Sequence, residues 1–303
     1  MAVSRNNSQL FLAAGIVSIC AILLFIPWND VYHPRSLKTL WNLGHFPLFA
    51  CTALLGLRYF NLLNTLTYEI QLLVVLGLAC VVGLAIEYIQ LGLGRNFSLG
   101  DVAIDLAGAF FTIAWFATGR AIFQSFPLIC RWFSIGLIII GLFPLYLNVS
   151  DEISAREQFP QLATFESKLE LERFRGSASL RLENGVVRIT FGTEKYSFFA
   201  LNYFPRDWRD YQTLQLHFNN LNQQAITLTC RIHDIWHDQS YDDRYNKTHT
   251  IYPGETTIII ELDDVRTQPK SRELELSKVG QLACFTSQQR SPVELILKQI
   301  NLA

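Results

Sequence analysis

Net charge is scarce in this 303-residue chain, and in its first half charge of either sign is scarce. Lysine plus arginine number 25 against 26 aspartates and glutamates, a net charge of −1. Without a basic excess there is no electrostatic footprint for a nucleic acid, and that class of partner is set aside. No C-x-x-C or H-x-x-H pair occurs, so no structural zinc site is expected, and nothing in the chain asks for a cofactor. Adjacent acids at Asp242-Asp243 and Asp263-Asp264 are too common a pattern to argue for calcium, which wants several oxygen ligands. The first apolar run lacks a small-x-small cleavage site after it; IPWNDVYHP is bulky and polar, which favours an uncleaved helix over a signal peptide.

What is present is unevenly spread. Half of the residues are hydrophobic, and they gather in long runs before about residue 150. Runs at about 10–28, 41–60, 69–91, 101–118 and 132–147 are expected as about five membrane-spanning helices, residues 1–150 forming a transmembrane bundle. His45 and Pro47 fall near the start of the second run, where proline is tolerated. Residues 151–165 suit a linker or short amphipathic segment, and 166–303 a separate domain. Short-loop arginines and lysines are Arg5, Arg58, Arg120 and Arg131 on one side and Arg35, Lys38 and Arg95 on the other. That bias places the N-terminus inside and, with an odd number of helices, the C-terminal domain outside the cytoplasm.

The polar residues of the first half gather around one connection. Glu87 and Gln90 are i, i+3 on one helix and Asp101 and Asp105 are i, i+4 on the next, so each pair shares a face. The glycine-bearing LGLGRNFSLG joins them and carries Arg95 and Ser98. Asp101 falls near the N-cap position, where a carboxylate accepts backbone N–H bonds. An ionisable group at mid-bilayer costs at least about 2.5–3.5 kcal/mol, so such a cluster is a functional hypothesis by default. Glu87, Asp101 and His45 are the candidate catalytic residues: carboxylates that exchange protons, and an imidazole acting as base or as hydrogen-bond partner of Glu87. Gln90, Arg95, Ser98 and Asp105 are candidate ligand-binding residues, Arg95 through its planar fork on phosphate or pyrophosphate. A purely structural polar knot between the helices is the alternative.

The series Glu87, Gln90, Gly94, Arg95, Ser98, Asp101, Asp105 and Gly108, with His45-Phe46 on an earlier helix, resembles the VanZ-like membrane protein family over about residues 10–150. It departs from the family pattern at Asp105, where asparagine is expected, and at Trp41-Asn42, where an Asp-Lys pair is expected. The resemblance implies a multi-pass protein of the bacterial inner membrane linked to the cell envelope and, in some members, to reduced sensitivity to glycopeptide antibiotics. It implies no agreed reaction. The Arg-Pro, Ser-Gly-His and Arg-His-Asp constellation of lipid-pyrophosphate phosphatases is absent.

In the second half the period of apolar residues changes to two. SLRLENGVVRITF alternates around Asn184-Gly185, a strong hairpin signal. Further strands are expected at YSFFALNYF, TLQLHFNNL, ITLTCRIHD, TTIIIELDD, QLACFTS and VELILKQINL, with no clear helix. Seven or eight such strands argue for an antiparallel β-sandwich. Cys230 and Cys284 could pair in an oxidising compartment, and their spacing neither supports nor forbids it. The landmarks Phe204–Trp208, Arg231–Asp234, Arg244–Asn246, Pro253-Gly254 and the last strand resemble the galactose-binding-like, jelly-roll carbohydrate-binding modules over about 160–303. Sugar sites stack aromatic faces beside carboxylates and arginine. Asp234, Trp236, Tyr241, Asp242, Arg244 and Tyr245 have that chemistry, while Trp208 is expected in the core.

The fold expected is therefore a multi-domain membrane protein, an α-helical bundle followed by an antiparallel jelly-roll sandwich. Its expected function is binding or acting on a membrane lipid or lipid-linked, anionic envelope component, with a glycan or partner held by the sandwich. Catalysis is left open. Alternatives are a non-catalytic anchor that presents an interaction module, and a small proton-coupled transporter, against which the lack of an inverted repeat counts.

Overall fold

The structure, a computed structural model, describes residues 15, 17–19, 21–22, 32–93 and 97–303. Contacts divide the chain into two compact units: Met1–Asn29 with Ser36–Tyr146, and Asp30–Arg35 with Leu147–Ala303.

The first unit is helical. Its elements are α1 (Arg35–Asn42), α2 (His45–Tyr59), α3 (Asn61–Asn64), α4 (Tyr68–Gly92), α5 (Leu99–Phe116) and the start of α6 (Phe126–Gln158). The described residues of the expected first run, 15, 17–19 and 21–22, are helical, and the remainder of that run lies outside the described residues. Among the described residues, four stretches are long and apolar enough to cross a membrane: Arg35–Tyr59, Tyr68–Gly92, Leu99–Phe116 and Phe126–Gln158. Leu73, Leu78 and Val81 of α4 are 71%, 59% and 67% exposed, an outward apolar face that hydrocarbon satisfies and water does not.

Small residues bring the helices together, as expected where lipid tails remove the hydrophobic drive for helix pairing. A Cβ on Gly108 of α5 would lie 2.3 Å from the Phe46 carbonyl oxygen of α2. One on Gly83 of α4 would lie 2.6 Å from Asp105 Oδ2. Thr112 Oγ1 donates to the Ala50 carbonyl at 2.8 Å, adding a polar tie between α2 and α5.

Helix α6 departs from expectation. It runs 33 residues, through Pro144 and on to Gln158, where a linker was expected from 151. At 1.5 Å per residue it is about 50 Å long, more than the roughly 30 Å of a hydrocarbon core. Its last turns are amphipathic, with Asp151 and Ala155 buried, so the polar composition there marks a half-buried helix and not a tether.

The second unit is a two-sheet antiparallel sandwich. Its strands are β1 (Gln161–Ala163), β2 (Phe174–Gly176), β3 (Ser179–Glu183), β4 (Val186–Phe191), β5 (Tyr196–Leu201), β6 (Thr213–Asn220), β7 (Ile226–Asp234), β8 (Tyr245–Ile251), β9 (Gly254–Glu261), β10 (Val279–Ser287) and β11 (Val293–Leu302). One sheet has the order β3-β4-β11-β6-β9, with β1 on β11; the other is β2-β5-β10-β7-β8. From β4 to β11 each strand crosses to the other sheet, except that β7 and β8 are neighbours in one sheet, as in a jelly roll. The Asn184-Gly185 turn has φ of 50° and 78°, the doubly positive geometry of a tight hairpin. Strand β6 alternates strictly between half-buried and buried residues. Phe191, Phe199, Trp208, Phe218, Leu282 and Leu295 fill the space between the sheets. Cys230 and Cys284 face each other across β7 and β10 in that core, their Sγ atoms 2.7 Å apart.

Four elements were not expected. Strands β1 and β2 have only three residues each, too few to show a period, and β8 (YNKTHTI) is mostly polar. A short helix α7 (Leu262–Thr267) interrupts the run of strands, burying only Leu262 and Val265.

Replacing Gly108 with alanine drives a methyl group into the Phe46 carbonyl and should cost about 1–3 kcal/mol, as overpacking does. Thermal unfolding of the full chain in detergent measures this. A stability unchanged from wild type would mean that α2 and α5 are not in this close contact.

Candidate functional site

The helical unit gathers its polar residues as α2, α4 and α5 pack. His45, Glu87 and Asp105 are fully buried, Gln90 is 1% and Asp101 5% exposed. Ser98 is the N-cap of α5: its Oγ accepts the Asp101 N–H at 3.2 Å, and its own N–H donates to Glu87 Oε2 at 2.7 Å. Asp101 sits inside the first turn, near the cap as expected, where its charge complements the helix dipole. His45 does not pair with Glu87. Its Nδ1 is 2.8 Å from Asp105 Oδ1, one helix across, which fixes the ring. A ring nitrogen of His45 and one carboxylate oxygen each of Glu87 and Asp101 lie within 4.8 Å of one another. Arg95 lies outside the described residues.

In the sandwich, the long connection after β7 divides into buried and exposed residues. Asp234 and Tyr245, read as sugar contacts, are 0% and 1% exposed. Arg272 donates from Nη2 to Asp234 Oδ1 at 2.7 Å and to Asp243 Oδ2 at 3.1 Å, tying both ends of the connection together. Asp234 also accepts the N–H groups of Trp236 at 3.1 Å and Glu275 at 2.8 Å. These bonds give Asp234 a structural task. Trp236 is exposed but engaged, its Nε1 donating to Glu275 at 2.9 Å with Lys278 5.2 Å from the ring centre. Asp242 pairs with Lys270 at 2.9 Å on the surface.

Tyr241 and Arg244 belong instead to a groove of about 540 Å³ on the outer face of the β2-β5-β10-β7-β8 sheet. Register builds its floor. Phe198, Phe285, Thr229 and Thr248 form one row across four strands, and Ala283, Arg231 and Asn246 the next. Small Ala283 leaves room between the aromatic row and the guanidinium of Arg231. Tyr196 closes one end, edge-on to Phe285 at 5.7 Å, and Tyr241 stands at the other side with the Arg244 guanidinium 5.3 Å from its ring. Among the described residues no carboxylate lines the groove, and three buried donor nitrogens of its lining, Arg231 Nε, Arg244 Nε and Asn246 Nδ2, have no hydrogen-bond partner there. Burial, and the Arg244 charge next to it, lower the proton affinity of Arg231.

Of the groove residues only Tyr241 and Arg244 were expected as sugar contacts, Arg231 and Asn246 having been noted only as landmarks of the fold. The missed signal lies in YSFFALNYF and QLACFTS, where apolar residues, Phe198 and Phe285 among them, occupy both faces of a strand. An outward Phe198 and Phe285 have no core to fill, which marks that face as covered or ligand-facing.

Acid should weaken this unit in two steps. Burial pushes His233 down to about 4 from the ordinary 6.5, so between those values the unfolded chain takes up a proton that the folded one refuses. Stability therefore falls as pH drops from about 6.5 to about 4. Hydrogen bonding from Arg272 first, against burial, holds Asp243 down to about 2, below the ordinary 3.8. A second loss follows between those values. Denaturation profiles of wild type against His233→Asn and Asp243→Asn should flatten the upper and lower step respectively. Identical slopes in the variants would contradict both assignments.

No family model and no curated protein matches the chain. Solved structures match the sandwich region at low identity. A protein named PfGH50B is 19% identical over 43% of this chain and 22% of its own, with a TM-score of 0.35. The agarase AgWH50C is 15% identical over 47% of this chain and 25% of its own, at 0.38. The family 11 carbohydrate-binding module of Clostridium thermocellum, solved with a β-1,3-1,4-mixed-linked tetrasaccharide, is 16% identical over 47% of this chain and 93% of its own, at 0.37. The chain spans about a quarter of the length of the first two. Scores this low transfer no activity, so function is argued from the chain's own geometry.

Proposed function

We propose that this chain is an integral membrane protein whose β-sandwich binds an acidic oligosaccharide in the groove on its outer sheet. The observation that carries the proposal is the set of three buried donor nitrogens without acceptors, on Arg231, Arg244 and Asn246, beside aromatic faces. A buried donor left unpaired costs about 1–3 kcal/mol, and a ligand rich in oxygen recovers it. Arginine forks match a carboxylate or sulfate, and Tyr196, Tyr241, Phe198 and Phe285 offer faces to pyranose rings. With two guanidiniums and no acid in the lining, a neutral sugar would leave the positive charge uncompensated.

The four apolar helices hold the sandwich at a membrane in this proposal. The polar series from Glu87 to Gly108, by its VanZ-like resemblance, supports a place in the cell envelope, with the sandwich outside the cytoplasm. There Glu87, Asp101 and His45 are residues for a lipid-linked or anionic envelope component. If the helices only anchor, Glu87→Gln and Asp101→Asn leave every cellular function of the protein intact.

The test uses the full chain in detergent, titrated with uronate-containing oligosaccharides and their neutral counterparts. Arg231→Ala and Arg244→Ala should each weaken acidic ligands at least about tenfold, the scale of one hydrogen bond to a charged group. Tyr241→Ala should weaken acidic and neutral ligands alike. Failure of the wild-type chain to prefer acidic sugars, or affinity untouched by both arginine variants, would remove this assignment.

A further inference from the structure

The geometry points to a divalent-metal site within the helical unit, with His45, Glu87 and Asp101 as its ligands. The three offer one atom each within 4.8 Å of one another, from α2, α4 and the first turn of α5. All three residues are buried. Two carboxylates drawn together away from water concentrate negative charge at one place, which a divalent cation would offset.

Acids near a histidine would not be enough. The second observation is the state of the imidazole. His45 Nδ1 is committed to Asp105 Oδ1 at 2.8 Å, while Nε2, on a ring that is 0% exposed, makes no hydrogen bond among the described residues. A buried protonated imidazole would leave an N–H unsatisfied at that atom. A neutral one, with its proton on Nδ1 and given to Asp105, presents a lone pair at Nε2. Metal-ligating histidines are held in this manner, with a carboxylate on the other nitrogen fixing tautomer and ring. Asp105 is then a positioning residue, and Gly83 leaves it room: a Cβ there would lie 2.6 Å from Asp105 Oδ2.

The donor set selects the metal. One imidazole and two carboxylates suit a first-row divalent ion, zinc or manganese, better than calcium, which prefers oxygen throughout. Three protein ligands leave a coordination position for water or for an anionic oxygen of a bound molecule. The other histidine-acid group, His237, Asp238 and Asp243, lacks this character. Asp243 is bonded by Arg272 from Nε and Nη2, so its charge is already matched, and Asp238 is exposed.

The experiment strips the full chain in detergent with a chelator, equilibrates it with zinc or manganese, desalts it and measures retained metal by mass spectrometry. About one ion per chain is expected. Manganese bound at the site should show nitrogen coupling in its electron paramagnetic resonance spectrum, lost in His45→Gln. Glu87→Gln and Asp101→Asn should each lower affinity at least tenfold. Asp105→Asn, which touches no ion, should weaken it about 10- to 100-fold, as loss of an outer hydrogen bond does. Melting curves of the metal-free variants separate lost binding from lost folding. Two results overturn the proposal: wild-type protein that retains no metal, its carboxylates then being matched by protons or by a side chain such as Arg95, and stoichiometric binding that survives Glu87→Gln with Asp101→Asn. Neither result bears on the groove of the sandwich, whose test is sugar binding.

Discussion

A charge taken out of water has to meet an opposite charge or enough hydrogen bonds, and the architecture of both units turns on how that is done. In the second unit Asp151, near the end of α6, lies between two arginines. Arg35 donates to its Oδ2, and Arg173 donates to both oxygens, at 2.9 Å from Nε and 2.8 Å from Nη2. All three are at least nine-tenths buried. One turn of chain away Glu170 accepts the N–H groups of Thr164, Phe165 and Glu166 at 2.9, 3.0 and 3.1 Å, holding Phe165 at a φ of 62°. Removing one member of such a network strands its partner and costs about 3–5 kcal/mol, whereas replacing the whole set with apolar residues can be neutral. What the network supplies is therefore position: it fixes where the last turn of α6 meets the first strands of the sandwich.

The helical unit meets the same constraint among apolar helices. Asp105 pairs with His45, Asp101 sits in the first turn of α5, and Glu87 accepts the Ser98 N–H among its contacts. Its four long stretches are apolar enough to face hydrocarbon, and the polar residues turn inward where small residues admit them, as Gly83 does for Asp105. The exposed aliphatic face of α4 and the buried Gln71, Glu87 and Gln90 on its other face are two results of one solvent preference.

Much of this was legible in the sequence, and the exceptions share a cause. The run at 69–91 matches α4 (Tyr68–Gly92) because 25 apolar-rich residues without a breaker have few other solutions. The Asn184-Gly185 hairpin was legible because turn chemistry is local. The spacing of Glu87, Asp101 and Asp105 put them on adjacent faces before any coordinates, but the partner of His45 was misjudged. That pairing depends on which way α2 rotates against α5, set by Gly108 and not by spacing along one helix. Arg272 bonds Asp234 across 38 positions and Asp243 across 29, and Arg35 reaches Asp151 across 116. Separations of that size carry no local signal. The groove was hidden for the same reason, since Phe198, Phe285 and Thr229 become one row only once β5, β10 and β7 pair in register.

The Asp234–Arg272–Asp243 arrangement shows why a jelly roll can carry a binding face on an irregular loop. Tyr241 is 69% exposed, and an unanchored tyrosine on a long connection would sample many positions. Here the connection is held at both ends from below. Asp234 closes β7 and takes two backbone N–H groups, while Asp243, two residues after Tyr241, takes the Asp238 N–H at 3.0 Å. An apolar plug of the same volume would bury as well but would leave those amides without acceptors, at about 1–3 kcal/mol each. Ordering is thus completed on folding rather than on binding, and a ligand need not supply it. The residue that does this, Arg272, is not among those that line the groove, and it bonds Asp234 and Asp243. The acids that look suited to a sugar are for that reason occupied elsewhere: Asp234 and Asp243 are engaged in placing the connection that carries Tyr241 and Arg244.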